Sequence, residues 1–221
     1  EQTFTITVPE GTFLMGCDVA EDPMCFGNES PVRQVFVPAF EIDRYETTMR
    51  RYQACEAAGA CTGAGIYAGL CNGSIEISEA PRPDHPVNCI TWHQARAFCA
   101  WDGKRLCSEA EWEKAARGSD GRPYPWGNQT ATCDLAVMAD PDGEGCGTGT
   151  TLPVGSMPRG ASPYGVQDMA GNAAEWVEDD WHDRYDGAPN DGSAWIDEPR
   201  GYYRVVRGCS FQCGEYLGRA L

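Results

Sequence analysis

Residues 85–118, HPVNCITWHQARAFCAWDGKRLCSEAEWEKAARG, contain two complete helix signals in succession. A helix is predicted over residues 91–103, because a threonine at the start and a glycine at the end are typical of capped helices. A second helix is predicted over residues 108–118, where Ser108 and Glu111 form an S-x-x-E capping box and an apolar face follows. This stretch therefore predicts two adjacent, well-capped helices.

Outside this stretch the chain reads as short segments separated by turns. One more helix is predicted over residues 47–59, from a threonine cap to a glycine. Turn signals such as PEG, PDG, PRG and APNDG divide most of the remaining sequence. Short strands are predicted over residues 4–8, 13–15, 33–37 and 203–207. The sequence therefore predicts an α+β domain with few helices, short strands and much irregular structure.

Length and cysteine content indicate one domain in an oxidising compartment. At 221 residues the chain is long enough for one large core, and we assign residues 1–221 to a single domain. It carries 12 cysteines, which a reducing cytosol would leave as reactive thiols. The first residues alternate like a strand and carry no signal-peptide pattern. We therefore expect a mature secreted chain, extracellular or periplasmic, with any signal peptide already removed.

The charge balance argues against two classes of partner. With 17 basic and 33 acidic residues the net charge is -16, which repels nucleic-acid phosphates and anionic lipid surfaces. No apolar run is long enough to span a bilayer. We therefore expect neither nucleic-acid binding nor a membrane span. An acidic surface suits solubility, and it also suits calcium.

Most of the cysteines form pairs that are close in sequence. Each of these pairs encloses a turn-rich loop, so four local disulfides are predicted, namely Cys17–Cys25, Cys55–Cys61, Cys71–Cys89 and Cys133–Cys146. The remaining cysteines, whose pairing stays open, are Cys99, Cys107, Cys209 and Cys213. Structural zinc is not indicated, because these four form no C-x2-C knuckle and the histidines have no metal-binding spacing.

Residues 85–118 resemble the formylglycine-generating enzyme family, also called sulfatase-modifying factors. The family elements H-P-V, S/T-W, A-x-x-[YF]-C-x-W, G-K-R-L and [ST]-E-A-E-W-E occur there in order. Further matches are GTFLMG, FEIDRYETT, YPWGN, SPYGVQDMAGNAAEWVEDDW and RVVRGCSF. Because these motifs cover nearly the whole chain, it is identified as a member of the family.

The resemblance implies a fold similar to the C-type lectins, with much irregular structure and bound calcium. Enzymes of the family oxidise a cysteine of a sulfatase to formylglycine, using oxygen and a copper(I) ion held by two cysteines. Iron-dependent sulfoxide synthases and non-catalytic binding proteins share the fold, so fold alone does not select the activity. The iron-dependent activity would need three histidines, and His85 already belongs to the structural H-P-V motif.

The segment DMAGNAAEW, residues 168–176, resembles the family's second calcium site. Matching residue by residue gives the side chains of Asp168 and Glu175 and the carbonyls of Gly171 and Ala173 as ligands. Such a set suits calcium, which takes about six to eight hard oxygen ligands. The alternative is that both acids are ordinary surface groups beside a turn.

The family's first calcium site would begin at Asp134 and the carbonyl of Leu135. Its further ligands fall in the segment DPDGEGCGTG, where the register against the family is ambiguous. An ion-free turn explains that segment equally well.

The terminal motif RVVRGCSFQC corresponds to the active-site motif of the enzymes. By this resemblance Ser210 is the active-site serine and Cys213 is the first copper cysteine. The second copper cysteine corresponds to position 218, which is glycine here. Since copper(I) is held by paired thiolates, the usual copper site is broken.

Cys209 is a second departure, because the family normally has a glycine there. Two alternatives stay open: Cys209 acts as the partner thiol, or Cys209 and Cys213 pair with Cys99 and Cys107. In the enzymes the counterpart of Cys99 bonds a residue near a C-terminal G-F-R-C segment, which this chain lacks. Ala174 also stands where the enzymes commonly have an aromatic residue.

These departures favour a secreted, calcium-stabilised binding or structural protein without catalytic activity. Its partner is then an unknown protein or glycan in an extracellular assembly. The alternative is a copper-dependent oxidase that converts a sulfatase cysteine to formylglycine, with Cys213 as copper ligand and Ser210 positioning oxygen. Several aromatic residues are candidates for a ligand surface or for packing under long loops, namely Trp181, Tyr185, Trp195, Tyr202 and Tyr203.

Overall fold

The computed structural model describes residues 4–18, 20, 25–65, 71–72 and 82–214. Within these residues, short strands and helices are joined by long irregular segments. The strands are β1 (Thr5–Val8), β2 (Gly11–Met15), β3 (Arg33–Val37), β4 (Phe40–Asp43), β5 (Glu175–Asp180) and β6 (Arg204–Arg207). The helices are α1 (Met49–Ala57), α2 (Trp92–Trp101) and α3 (Glu109–Arg117). The predicted α+β class with few helices and short strands is confirmed.

The described strands form three two-stranded antiparallel sheets. β1 pairs with β4, β2 pairs with β3, and β5 pairs with β6. In the third sheet Glu175 lies opposite Arg207, and Trp176 lies opposite Val206. This pairing brings the predicted calcium segment beside the terminal motif.

Helix α3 lies between the sheets and carries the centre of the core. Trp112 is fully buried and packs with Val8 and Val177. On another face of α3, Ala110 packs with Phe13 and Val35 of the β2–β3 sheet. Burying a large aromatic side chain contributes about 1.5–3 kcal/mol, so α3 organises both apolar clusters.

The helix predictions are confirmed, and the strand predictions are incomplete. Thr48, Thr91 and Ser108 each cap a helix by accepting a hydrogen bond from a backbone N–H of the first turn. All four predicted strands are present, but β4 and β5 were not predicted. The β5 sequence EWVEDD shows no apolar alternation, so it was not recognised as a strand. Two of its acids, Asp179 and Asp180, are nevertheless buried, where they accept hydrogen bonds.

The four predicted local disulfides are closed in the structure. A fifth disulfide joins Cys209 to Cys213, while Cys99 and Cys107 are free and partly buried. The alternative that paired Cys209 and Cys213 with Cys99 and Cys107 is therefore wrong.

Substituting the cap of α3 tests the role of this helix. Ser108 accepts a hydrogen bond from Glu111 N at 3.1 Å and donates one to Gly192 O at 2.7 Å. We expect Ser108→Ala to lower the free energy of unfolding by about 1–2 kcal/mol, because both groups lose a partner. Urea denaturation would measure this loss, with Thr130→Ala at an exposed position as the control. Equal losses in the two variants would contradict the role assigned to Ser108.

Candidate functional site

The predicted calcium loop (residues 168–175) and the terminal motif (residues 204–213) lie side by side. Gly171 N donates to Gly208 O at 2.8 Å, and Phe211 N donates to Asn172 O at 2.9 Å. Gly208 has a φ of +83°, and a β-carbon there would lie 3.2 Å from the Trp112 ring. Glycine permits both the conformation and the close approach. The two predicted sites are therefore parts of one region.

The predicted calcium loop has an unusual backbone conformation at three of its residues. Asp168 and Asn172 have left-handed φ values of +61° and +59°, which are uncommon for residues other than glycine. Gly171 has a φ of +81°, and a β-carbon there would lie 2.3 Å from Val137 O. The carbonyls of Gly171 and Ala173 accept no hydrogen bond from any described residue. Both are thus available to a cation.

The two carboxylates of the loop are not ordinary surface groups. Asp168 is buried and accepts a hydrogen bond from Gly155 N at 2.6 Å, while Glu175 is partly buried and accepts one from Trp112 Nε1 at 3.0 Å. Burial raises the pKa of Asp168 to about 6. Burial, with a contribution from the nearby Asp168 charge, raises the pKa of Glu175 to about 7. Two carboxylates that interact electrostatically, together with two carbonyls that accept no hydrogen bond from described residues, are oxygen donors of the kind that calcium takes.

Glu46 supports this loop, and sequence reasoning missed it. Its Oε1 accepts a hydrogen bond from Ala173 N at 2.8 Å, and its Oε2 accepts one from Asn172 Nδ2 at 2.6 Å. Burial, together with the charges of Asp168 and Glu175, holds the pKa of Glu46 well above its usual range. The only sequence signal was the family match FEIDRYETT, which contains Glu46 without giving it a role.

The segment predicted as a first calcium site is arranged differently. Asp134 is exposed, and its carboxylate lies 3.3 Å from the Arg159 guanidinium. Leu135 is buried, and its carbonyl lies against Gly160 so closely that a β-carbon there would clash with it. A second calcium ion at this position stays a prediction.

Ser210 and Cys213 line a cavity of 340 Å³, which we call the Ser210 cavity. Its lining combines aromatic walls with buried charged groups and includes Phe26, Trp181, His182, Tyr185, Trp195, Glu109 and Arg207. Ala174 also faces this cavity, at the position where the enzymes commonly have an aromatic residue. A volume of about 300 Å³ or more is typical of a small-ligand pocket, so the Ser210 cavity is large enough to bind one.

The disulfide between Cys209 and Cys213 forms part of the cavity wall. Cys209 has a φ of +60°, in the left-handed region that the glycine of the family motif would favour. Ser210 N lies 3.3 Å from Cys213 Sγ, and Ser210 Oγ accepts a hydrogen bond from Gln212 N at 3.3 Å. In this state Cys213 offers no thiolate, so the residues present do not fit a copper(I) ion.

The predicted aromatic surface divides into two groups. Trp181, Tyr185 and Trp195 line the Ser210 cavity, and the Trp195 ring stacks on His182 with 3.5 Å between centroids. Trp181 is 42% exposed, whereas Tyr185 is buried. The other two, Tyr202 and Tyr203, are 92% and 69% exposed and do not line this cavity.

A buried charge network reaches the Ser210 cavity through Glu109, Arg207 and Tyr185, and we call this part of the lining the floor. Arg207 Nη1 donates to Glu109 Oε1 at 3.2 Å, and Arg207 Nη2 donates to Glu113 Oε2 at 3.0 Å. Glu113 also pairs with Arg117 at 2.6 Å, and Tyr185 Oη donates to Glu109 Oε1 at 3.0 Å. Burial raises the pKa of Glu109 to about 7, although Arg207 opposes the rise.

The raised pKa of Glu109 predicts a loss of stability as pH rises. A carboxyl whose folded pKa exceeds its unfolded value stabilises the fold below about pH 4.5 and loses that contribution as pH passes about 7. We expect the loss to be about 3 kcal/mol over this window, because each unit of pKa difference corresponds to about 1.4 kcal/mol. Urea denaturation across this pH range would measure it, with Glu109→Gln as the comparison. A Glu109→Gln variant with the same pH slope as the wild type would contradict this assignment.

Clusters of acids, cysteines and histidines that could hold a metal ion are few among the described residues. The cluster of potential ligands found there is Cys17, Cys25 and Glu29, in which the two cysteines are already joined. No histidine of the described segments belongs to such a cluster. No helix in the described part of the chain is long and apolar enough to cross a membrane.

Comparison with known proteins identifies the family. The family described as "Sulfatase-modifying factor enzyme 1-like domain" matches residues 1–219. The chain is 35% identical over 263 residues to a formylglycine-generating enzyme of Thermomonospora curvata, covering 95% of this chain and 83% of that protein. It is 30% identical over 241 residues to the bovine "Inactive C-alpha-formylglycine-generating enzyme 2", covering 89% of this chain and 77% of that protein.

Other relatives carry a different activity in their names. The chain is 31% identical over 234 residues to a hercynine oxygenase of Mycolicibacterium thermoresistibile, covering 90% of this chain but only 50% of that protein. Among solved structures, PvdO from Pseudomonas aeruginosa superposes with a TM-score of 0.80 at 30% identity, covering 98% of this chain and 85% of that one. Relatives named as enzymes and a relative named as inactive thus both resemble this chain, and the match over residues 1–219 shows that it belongs to the sulfatase-modifying factor family.

Proposed function

We propose that this chain is a non-catalytic binding domain of the sulfatase-modifying factor family, stabilised by calcium. The observation that carries the proposal is the disulfide between Cys209 and Cys213, which occupies the position of the first copper cysteine. The position of the second copper cysteine is a glycine. A soft copper(I) ion needs paired thiolates, and the described residues offer none beside Ser210.

The Ser210 cavity is the proposed ligand site. Ala174 leaves open the space that an aromatic residue commonly occupies in the enzymes, and Trp181 and Trp195 supply aromatic contact area. Aromatic side chains carry much of the binding energy in recognition sites. A family active site that has lost its metal ligands but kept its cavity is well suited to binding without chemistry.

Calcium is proposed to bind the loop beneath this cavity. Asp168 and Glu175 would contribute carboxylate oxygens, and Gly171 and Ala173 would contribute carbonyls. The ion would neutralise two acids that repel one another and would fix the backbone that holds the terminal motif. The proposed role of the ion is therefore structural.

The compartment and the partner follow from the same features. Five disulfides in the described residues would not persist in a reducing cytosol, which supports a secreted, extracellular or periplasmic location. Tyr202 and Tyr203 precede the terminal motif in the sequence and are exposed. Exposed tyrosines suit contact with a protein or glycan partner.

Copper binding and oxygen consumption test the proposal directly. The protein as isolated would be titrated with copper(I) and supplied with oxygen and a peptide containing C-x-P-x-R, while oxygen uptake is recorded. We expect neither copper binding at sub-micromolar concentration nor oxygen uptake above that of a Ser210→Ala variant. Uptake that depends on Ser210 would overturn the proposal.

One observation favours a second candidate, a copper-dependent oxidase. The two sulfurs of Cys209 and Cys213 are adjacent beside Ser210, so reduction would place two thiols there. Blocking free thiols before digestion, followed by mass spectrometry, would show whether the isolated protein carries this pair open or closed. Copper binding that appears after mild reduction and disappears in Cys209→Ser would favour the oxidase.

A further inference from the structure

One carboxylate oxygen at the floor of the Ser210 cavity, Glu109 Oε2, has no hydrogen-bond donor among the described residues. Glu109, the first residue of α3, is 9% exposed, and its Oε1 accepts both hydrogen bonds described above. Its Oε2 accepts no hydrogen bond from any described residue. Because Glu109 lines the cavity, a carboxylate oxygen of this largely buried side chain that has no partner in the described part of the protein favours a ligand with a hydrogen-bond donor or a positive charge.

The arginines near the floor are already paired with carboxylates of the protein. Both terminal nitrogens of Arg207 are engaged, one by Glu109 and the other by Glu113. Asp180, which also lines the cavity, binds Arg200 at 3.2 Å and Arg204 at 2.7 Å. Because carboxylates already neutralise these arginines, the floor offers little net positive charge to bind an anion.

The cavity lining carries more acids than bases. Against the effect of burial, Tyr185, Glu109, Glu113 and, least, Glu29 raise the pKa of the Arg207 guanidinium. Glu29 lines the same cavity as Glu109 and Asp180. Among the described residues of the lining, Arg207 is the one arginine and no lysine occurs. The net charge of -16 adds a long-range field that attracts cations and repels anions.

The walls suit the aliphatic part of such a ligand. Trp181 and Phe26 are exposed at 42% and 53%, and Trp195 and Tyr185 extend the aromatic surface inward. Aromatic faces attract cations and bury aliphatic carbon at the same time. A small aliphatic ammonium is also compatible with the volume of 340 Å³.

We propose that the Ser210 cavity binds a primary ammonium group on an aliphatic stem, with the ammonium at Glu109 and the stem against Trp181. This inference rests on the proposed binding function and names the class of its ligand. A lysine side chain of a partner protein and a free alkylamine share this chemistry.

The test compares a cation with its neutral isostere. Nα-acetyl-lysine methylamide, cadaverine and Nα-acetyl-norleucine methylamide would be titrated into the intact, calcium-loaded protein by calorimetry. We expect the lysine derivative to bind at least about tenfold more tightly than the norleucine derivative. Comparable binding of cadaverine would identify a free alkylamine as sufficient, whereas weaker binding of cadaverine would identify a peptide lysine.

Three variants locate the binding. Trp181→Ala is expected to weaken lysine-derivative binding by about tenfold, and Trp101→Ala, a tryptophan that is 40% exposed and outside the cavity, should leave it unchanged. Glu109→Gln keeps the shape of the side chain and should remove the preference for lysine over norleucine. If Glu109→Gln does not fold, the comparison of the lysine and norleucine derivatives still tests for ammonium binding, and the two tryptophan variants still test its location.

The outcomes separate this inference from the function on which it rests. Equal binding of lysine and norleucine derivatives, both weakened by Trp181→Ala, would overturn the ammonium assignment and leave the binding function standing. Absence of binding by all three probes would also overturn the ammonium assignment. Only Ser210-dependent oxygen uptake would overturn the non-catalytic function itself.

Discussion

Replacing Arg207 with methionine is expected to lower the free energy of unfolding by about 3–5 kcal/mol near neutral pH. Arg207 is 7% exposed, bridges Glu109 and Glu113, and lies over the Trp112 ring at 5.1 Å from its centroid. Methionine fills a similar volume but leaves two buried carboxylates without their shared cation. The loss comes from these uncompensated charges rather than from a cavity.

The pH dependence of this loss distinguishes charge from packing. Protonation of Glu109, whose pKa is already about 7 in the presence of Arg207, relieves the repulsion in the variant. We therefore expect the deficit of Arg207→Met to be smaller at about pH 5 than at about pH 8. Guanidinium denaturation at both pH values would measure it.

Arg184→Met is the matched control for Arg207→Met. Arg184 pairs with Asp186 at 2.7 Å, but both side chains are more than half exposed. Exposed ion pairs contribute little, so we expect Arg184→Met to change the free energy of unfolding by less than about 1 kcal/mol. A deficit of Arg207→Met that is the same at both pH values would contradict the electrostatic explanation.

Local features of this fold could be predicted from the sequence because their causes are local. The capping box of Ser108 and Glu111 specifies the start of α3 within four residues of chain. The short-range disulfides were predictable for the same reason, since turn-rich loops bring their cysteines together. Strand β5 was missed because its acids are buried by contacts that no local pattern reveals.

The candidate site was only partly predictable, because its geometry depends on distant contacts. The proposed ligands Asp168 and Glu175 came from the family motif; in the structure Asp168 is buried, Glu175 is partly buried, and the charge of Asp168 acts on Glu175. Glu46 reaches this loop across 127 residues of sequence to Ala173, so no spacing rule identifies it. The Cys209–Cys213 pair was left open because sequence gives spacing but not the backbone direction at each cysteine.

The floor of the Ser210 cavity shows the same limit. Arg207 and Glu109 are 98 residues apart, and each belongs to a family motif that carries no hint of the other. Only the antiparallel pairing of β5 with β6, packed on α3, places the guanidinium beside the carboxylate. The ligand class inferred for the cavity could therefore come only from the three-dimensional arrangement.

At a calcium concentration about a thousand times the dissociation constant, we expect the free energy of unfolding to be about 4 kcal/mol higher than in the presence of a chelator. The physical reason is that Asp168 and Glu175 are neighbouring acids in a buried loop, and two carbonyls beside them accept no hydrogen bond from described residues. Without the ion the two carbonyls have no partner among these residues, and each acid keeps only one hydrogen bond from them, from Gly155 N to Asp168 and from Trp112 Nε1 to Glu175. Thermal unfolding with calcium, with magnesium and with a chelator would measure the effect.

Two variants assign the calcium effect to this loop. Glu175→Gln keeps an acceptor for Trp112 Nε1 but removes a charged ligand, so we expect it to remove most of the calcium-dependent stabilisation. Asp134→Asn changes an exposed acid already paired with Arg159, so a single ion at the loop predicts no change in calcium response. A reduced response in Asp134→Asn would instead show that a second ion binds there.

The same ion is expected to protect the Cys209–Cys213 disulfide. The calcium loop holds the terminal motif through the bonds from Gly171 to Gly208 and from Phe211 to Asn172, so a loop without its ion loosens the segment that carries both cysteines. Reduction by dithiothreitol should therefore be faster in the chelated protein than in the calcium-loaded one, and labelling of Cys213 over time would follow it. Reduction at the same rate in both states, in a protein that calcium does stabilise, would show that the loop and the terminal motif are energetically independent despite their contact.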